Sequence, residues 1–274
     1  MSIARQIFQF AGASIAPIFS VWGQSNAEGG QVSSAGLPAN WLGIQPGIKV
    51  ANYGSVDQTH GVFNWQSANL SGSNENCASV YSNIYTGVVH SVEQAIAHRL
   101  AAYYNTVIYF DKLARGGLQI SAWRSGGLWY DELLTVAADE KASMAVLGKL
   151  PVWLPVVWVQ GESDAGSATG TAAYQAMLEA LISQERSLSV VNRPWIFQLL
   201  STYQTTYSAA QRATINQAFI NIAAGTRAKC YTLDPSGYSL TMDSNAPTLH
   251  YSSAALVTLG HAHFDLMTAN GLLP

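Results

Sequence analysis

From residue 88 onward the sequence alternates short runs of β-branched and aromatic residues with helix-patterned stretches of ten or more residues, and few folds accommodate that alternation. Strands are predicted over residues 106–110, 154–159, 195–200 and 230–233. Helices are predicted over 88–104, 129–148, 171–188 and 209–227, with a last one over 252–270. A strand can return parallel to its neighbour only through a crossover of about that length. The pattern therefore implies a parallel sheet sandwiched between helix layers. Two further strands, over 15–22 and 48–53, precede the regular part, separated from it by a Gly/Ser/Asn-rich region over 27–86. No internal repeat or linker interrupts the chain, and with 49% hydrophobic residues its 274 residues suffice for one large core. One domain over 1–274 is expected.

In an open sheet of this kind, ligands bind beyond the C-terminal strand ends. The first strand runs directly into Gly23-Gln24-Ser25-Asn26, a tight turn that holds a serine hydroxyl clear of the sheet, where an imidazole can reach it. A serine that merely caps a helix has the same local sequence, so the decision rests on what the other strand ends supply. After 106–110 comes Ala114-Arg115-Gly116-Gly117-Leu118, whose adjacent glycines let backbone N–H groups approach a ligand closely. After 154–159 comes Gln160-Gly161-Glu162-Ser163-Asp164, with one amide and two carboxylates. Ser163 and Asp164 suit helix capping. His250 lies in a polar loop over 243–253 before the last helix. The other histidines have weaker contexts: His60 stands in the irregular region, His90 and His98 at helical spacing, His261 and His263 inside the last helix. A strand-end serine with a loop histidine fits an acyl-transfer dyad, which is defined by roles and not by chain order.

The charge pattern removes whole classes of partner. The net charge is −3 and only 11% of residues are charged, against roughly a quarter in average proteins. Such a chain has no electrostatic footprint for nucleic acid or an anionic membrane. Its surface must be neutral and polar, which suits neutral glycans and argues against strongly charged partners. No apolar run approaches the ~20 residues that span a bilayer, and the N-terminus lacks the charged start and apolar stretch of a signal peptide. A soluble protein is expected, cytoplasmic or virion-associated, or exported by another route. Cys77 and Cys230 lie far apart without metal-ligand spacing, so neither a metal nor a cofactor is expected, and whether the two pair is open.

Taken together, Gly-Gln-Ser-Asn at 23–26, Gly116-Gly117 with Trp123, Trp158-Val159-Gln160-Gly161-Glu162-Ser163-Asp164, and Leu249-His250 before a terminal helix with Leu259-Gly260 give an ordered set. In this set the chain resembles the SGNH/GDSL hydrolase superfamily over residues 16–270. The branch is the sialate O-acetylesterase-like one, which includes carbohydrate esterase family 6 acetylxylan esterases. The resemblance implies a three-layer α/β/α sandwich with a five-stranded parallel sheet, flavodoxin-like in order. It implies Ser25 as nucleophile and His250 as general base. The implied oxyanion hole comprises the Ser25 N–H, that of Gly116 (Gly117 as alternate), and the Gln160 side chain where other members place Asn. Gln24, Asn26 and Trp123 are candidate substrate contacts, and Trp41 and Trp65 further aromatics for sugar faces. Many relatives place an aspartate three residues before the histidine. Here that position is Pro247, which cannot orient an imidazole. Glu162, Asp243 or a backbone carbonyl remain to do so. Glu162 is preferred, because its loop leaves the sheet at the same rim as Ser25. The expected activity is serine O-acetylesterase action on an acetylated carbohydrate through an acetyl-enzyme. A binding module that has lost catalysis and an esterase or thioesterase for longer acyl chains are the alternatives.

Overall fold

The structure, a computed structural model, describes residues 14–29, 37–52, 63–69, 90–127, 129–189, 192–226 and 228–274. Its centre is β1 (Ser14–Gly23), buried along nearly its whole length. Flanking it are β2 (Ile44–Asn52), β3 (Asn64–Asn69), β4 (Ile108–Ala114), β5 (Lys149–Val159), β6 (Trp195–Gln198) and β7 (Cys230–Leu233), in the spatial order β3-β2-β4-β1-β5-β6-β7. All neighbours pair in parallel except β3, which runs antiparallel to β2 at the edge. The sheet thus has seven strands where the resemblance implied five. Sequence patterning locates six and misses β3: Asn64-Trp65-Gln66-Ser67-Ala68-Asn69 lacks the β-branched residues that mark a strand.

Side-chain alternation along β1 assigns the layers. Phe19 and Val21 face one side, where they pack with Ile96 and Leu100 of α2 (Glu93–Tyr104) and Leu256 and Leu259 of α7 (Ser253–Ala269). These two helices touch closely at Gly260, where a Cβ would lie 2.5 Å from the Val92 carbonyl oxygen. Trp22 faces the other side, into an aromatic layer of Trp123, Trp158, Trp195 and Phe197. Covering it are α3 (Tyr130–Val146), α5 (Thr171–Ser189) and α6 (Ala209–Asn221), through Leu133, Tyr174, Leu178 and Phe219. Each such apolar side chain, fully buried, stabilises by about 1.5–3 kcal/mol. The result is a three-layer α/β/α sandwich, as expected.

Register then brings the functional loops together. Gly23 at the end of β1 is opposite both Ala114 at the end of β4 and Val159 at the end of β5. Three loops therefore leave the sheet at one height: those carrying Ser25, Gly116-Gly117, and Gln160 to Asp164. Two short helical turns follow directly, α1 (Ser25–Glu28) and α4 (Glu162–Ala165). Cys77 and His60 lie outside the described residues; Cys230 is buried on β7.

Candidate active site

The turn that carries Ser25 begins with a backbone few residues adopt. Gly23 has φ +149°, and a Cβ there would lie 1.9 Å from the Val159 carbonyl oxygen. That carbonyl accepts the Gln24 N–H at 3.0 Å, which bends the chain off β1 into α1. Within this buried turn only Ser25 is partly exposed. Its Oγ lies 2.9 Å from His250 Nε2, a distance at which a hydroxyl can donate to a neutral imidazole.

His250 comes to that position on a tight loop. The Asp243 N–H donates to the His250 carbonyl oxygen (2.8 Å), and the His250 N–H to that of Ala246 (3.0 Å). Asp243 Oδ1 accepts the Asn245 N–H at 2.7 Å, an Asx turn that starts the reversal. Asp243 thus folds back on His250, and its charge partly counters burial, the larger influence. The net effect holds the imidazole below its ordinary 6.5. An imidazole kept neutral in this way can accept a proton.

Glu162, the acid preferred from the sequence, is directed elsewhere. It is fully buried, and its Oε1 accepts from Asn26 Nδ2 (2.7 Å) and Gln204 Nε2 (3.0 Å), while Oε2 meets no hydrogen-bond donor side chain among the described residues. Burial outweighs those donors and raises its pKa. Glu162 is held by Asn26 and Gln204; among the described residues, the carboxylate whose charge acts on His250 is that of Asp243. The reason is geometric, since Glu162 opens a helix that turns beneath the rim, behind Asn26.

The oxyanion donors are also redistributed. The Gly116 N–H donates to Glu28 Oε2 at 2.8 Å. Among the described residues no acceptor takes the N–H of Ser25 or of Gly117, which leaves both for a ligand. The Gln160 amide is committed internally. Its Nε2 faces Asp164 Oδ2 (2.6 Å), Leu118 O (3.0 Å) and Gln24 Oε1 (3.3 Å), and its Oε1 accepts from the Tyr174 hydroxyl. Two amide hydrogens shared among three acceptors leave no donor to spare. Asp164 does not cap its own helix; its Oδ2 accepts the Ile120 N–H at 2.9 Å and ties the Gly-Gly loop to the Gln160 loop.

Three other residues of the Ser25 turn are struts. Gln24 Oε1 accepts from the N–H groups of Ser163 (3.2 Å) and Gly161 (3.4 Å). Asn26 holds the His250 loop, with its Oδ1 accepting the Tyr251 N–H at 3.2 Å. Glu28 holds the Gly116 loop. Gln24 and Asn26 are therefore buried supports, where the sequence made them substrate contacts. Trp123 is likewise no sugar platform, being fully buried against Trp129 and Trp158. Trp41 stacks on His98, and Trp65 donates to Ser143 Oγ. Gln204 and Glu28 escaped sequence reasoning, because their role depends on partners distant in the chain.

Beside the Gly117 loop lies an open groove of about 640 Å³, lined by Gly117, Gln119, Ser121, Arg124, Ser163 and Ser167 among others. Among the described residues no cluster of three or more His, Cys, Asp or Glu is arranged to hold a metal ion. No helix among them is long and apolar enough to cross a membrane.

A parallel three-layer sandwich with serine and histidine paired at its strand rim is the architecture of SGNH hydrolases, and the chain is an ester hydrolase of that class. More narrowly, the family model described as carbohydrate esterase, sialic acid-specific acetylesterase matches residues 16–269, and the chain belongs to that family. Solved structures agree in fold. A protein from Arabidopsis thaliana is 19% identical over 93% of this chain and 98% of its own, with a TM-score of 0.68. NanS is 15% identical over 94% of this chain and 98% of its own, with a TM-score of 0.67. A carbohydrate acetylesterase from Xanthomonas citri is 18% identical over 93% of this chain and 57% of its own, with a TM-score of 0.60. Among curated proteins, none matches the sequence of this chain.

Proposed function

We propose that this protein is a serine O-acetylesterase that removes acetyl groups from an acetylated sugar or polysaccharide. The observation that carries the reading is the 2.9 Å contact between Ser25 Oγ and His250 Nε2, and the N–H groups of Ser25 and Gly117 meet no acceptor among the described residues. Ser25 Oγ attacks the acetyl carbonyl carbon as His250 Nε2 takes its proton. The negative charge that develops on the carbonyl oxygen is met by the two N–H groups. His250 then protonates the departing sugar oxygen, leaving an acetyl-enzyme. A water molecule, deprotonated by the same imidazole, attacks that ester and releases acetate. Asp243 stabilises the transient imidazolium by its charge.

The substrate class draws on the family description and on the acetylesterases that share the fold. It fits the groove, whose lining of serines, glutamine and backbone can meet sugar hydroxyls. The test compares p-nitrophenyl acetate, butyrate and octanoate, followed by acetate release from O-acetylated sialic acid and acetylated xylo-oligosaccharide. Acetate is expected to be the best acyl group. Preference for octanoate defeats the acetylesterase reading, and no turnover of any ester favours a binding module.

A further inference from the structure

The structure assigns Asn26 as the positioning residue for His250, gripping the peptide groups on both sides of the imidazole, with Glu162 and Gln204 fixing the grip. The assignment rests on the serine-histidine reading above. Asn26 Nδ2 donates to the Leu249 carbonyl oxygen at 3.3 Å, and its Oδ1 accepts the Tyr251 N–H at 3.2 Å. Those two peptide units flank the His250 Cα, so one amide sets where the imidazole is hung. Because Asn26 adjoins Ser25, the nucleophile and its base share one rigid reference.

An amide can do this only if it cannot flip. Glu162 Oε1, an acceptor and never a donor when ionised, takes Nδ2 at 2.7 Å and dictates which end of the amide faces which peptide. Gln204 repeats the pattern from the loop after β6, donating to Glu162 Oε1 (3.0 Å) and to the Leu249 carbonyl oxygen (3.4 Å). Its own Oε1 accepts the Ser201 N–H at 2.9 Å, which sets its orientation in turn. Asn26, Glu162 and Gln204 are each at most 2% exposed, so little water competes with these bonds. Thr206 completes the brace, with its N–H on the Thr248 carbonyl oxygen at 3.0 Å. A histidine held through its main chain in this way depends less on a carboxylate at its Nδ1.

The test combines acetyl-ester kinetics with amide hydrogen exchange at Tyr251. In Asn26→Ala, kcat is expected to fall about 100-fold, the scale of a base misplaced by an ångström. KM is expected to stay near wild type and the acid limb of the pH profile not to move, since no charge facing the imidazole has changed. Exchange at the Tyr251 N–H accelerates. Asn26→Asp removes the donor and sets a second carboxylate against Glu162, and is expected to be equally poor. Adding Glu162→Gln returns a donor–acceptor pair to that contact and is expected to recover about a tenth or more of the lost rate. A purely structural role predicts lower thermal stability with neither the kcat-against-KM split nor the rescue, and overturns the assignment. So does wild-type kcat in Asn26→Ala, or an acid limb displaced by Glu162→Gln alone, which makes Glu162 a direct partner of the imidazole. If Asn26→Ala does not fold, Asn26→Asp with and without Glu162→Gln makes the same decision. Were the wild-type protein to hydrolyse no ester, the esterase reading falls, yet Tyr251 exchange still decides whether Asn26 holds the loop.

Discussion

Two buried polar networks lie on opposite sides of the Trp22 level of this sheet, and they differ in what their charges do. At the rim, Gln24, Asn26, Glu28, Gln160, Glu162 and Gln204 join loops from four parts of the chain, mostly through neutral amides. In the interior, Asp111, Glu140 and Glu185 surround the single guanidinium of Arg193. Asp111 accepts from Ser20 and from the Trp22 indole N–H, and Arg193 donates to Ser20 Oγ (2.8 Å), Leu154 O (2.6 Å) and Ile18 O (3.4 Å). Glu185 lies 3.6 Å from Arg193 and accepts from the Trp195 indole N–H. Amides serve at the rim because they fix geometry without placing strong fields on the imidazole. In the interior the charges tie β1 and β4 to helices α3 and α5, at the risk of a large loss if one partner goes.

If that contrast is right, rim and interior substitutions fall into separate classes. The largest expected effect is at the rim: Ser25→Ala and His250→Ala each cost about 10⁴-fold or more in kcat while the melting temperature barely moves. A Ser25→Ala variant with a tenth of wild-type activity breaks the assignment. In wild type the rate falls on acidification only below the ordinary histidine value of 6.5, because burial lowers the His250 pKa and the protonated ring cannot accept the serine proton.

Next in size is the interior. Arg193→Met strands buried carboxylates and is expected to cost about 3–5 kcal/mol of stability. Turnover per folded molecule is expected to be unchanged, so denaturant melts and active-site titration separate the two readouts. A loss of kcat in the folded fraction would show that the networks are coupled. Asp243→Asn, back at the rim, is smaller. Its charge raises the His250 pKa against burial, so its removal moves the acid limb to still lower pH. A loss of about tenfold in kcat is expected, since the transient imidazolium loses its counter-charge. A limb that moves upward contradicts the placement.

The smallest effect sharpens the contrast by sign. Glu140 is fully buried, and burial together with the Asp111 charge pushes its pKa well above the ordinary carboxylate value. The folded state therefore holds a proton that the unfolded state releases. Its contribution is complete below the unfolded value near 4.5 and is lost as pH rises towards the folded value. Glu140→Gln, permanently neutral and of the same shape, is expected to be more stable than wild type at pH 8 and to flatten the stability profile above pH 5. Destabilisation at pH 8 overturns this view of the interior.

The sequence by itself determined the layers and the chemistry-bearing residues. Strand and helix periodicity is local, so β1, β4 to β7 and all five long helices were legible, as was a serine set just past a strand end. Ser25 and His250 were named from local context, and the structure places them 2.9 Å apart although 225 positions separate them. The edge strand β3 was not legible, because pairing with β2 and not its own composition makes it a strand. Nor was the division of labour among the polar side chains. Local sequence says that Gln160 can donate, that Glu162 carries a charge and that Trp123 has a face. Whether the donor is already taken, the charge faces the imidazole or the face is covered depends on groups as near in the chain as Asp164 and Trp129 and as far as Gln24 and Asn26. Those contacts exist only once Gly23, Ala114 and Val159 are set in register, and so tertiary structure alone made Asn26 a strut, Glu162 its anchor and Asp243 a charge that acts on His250.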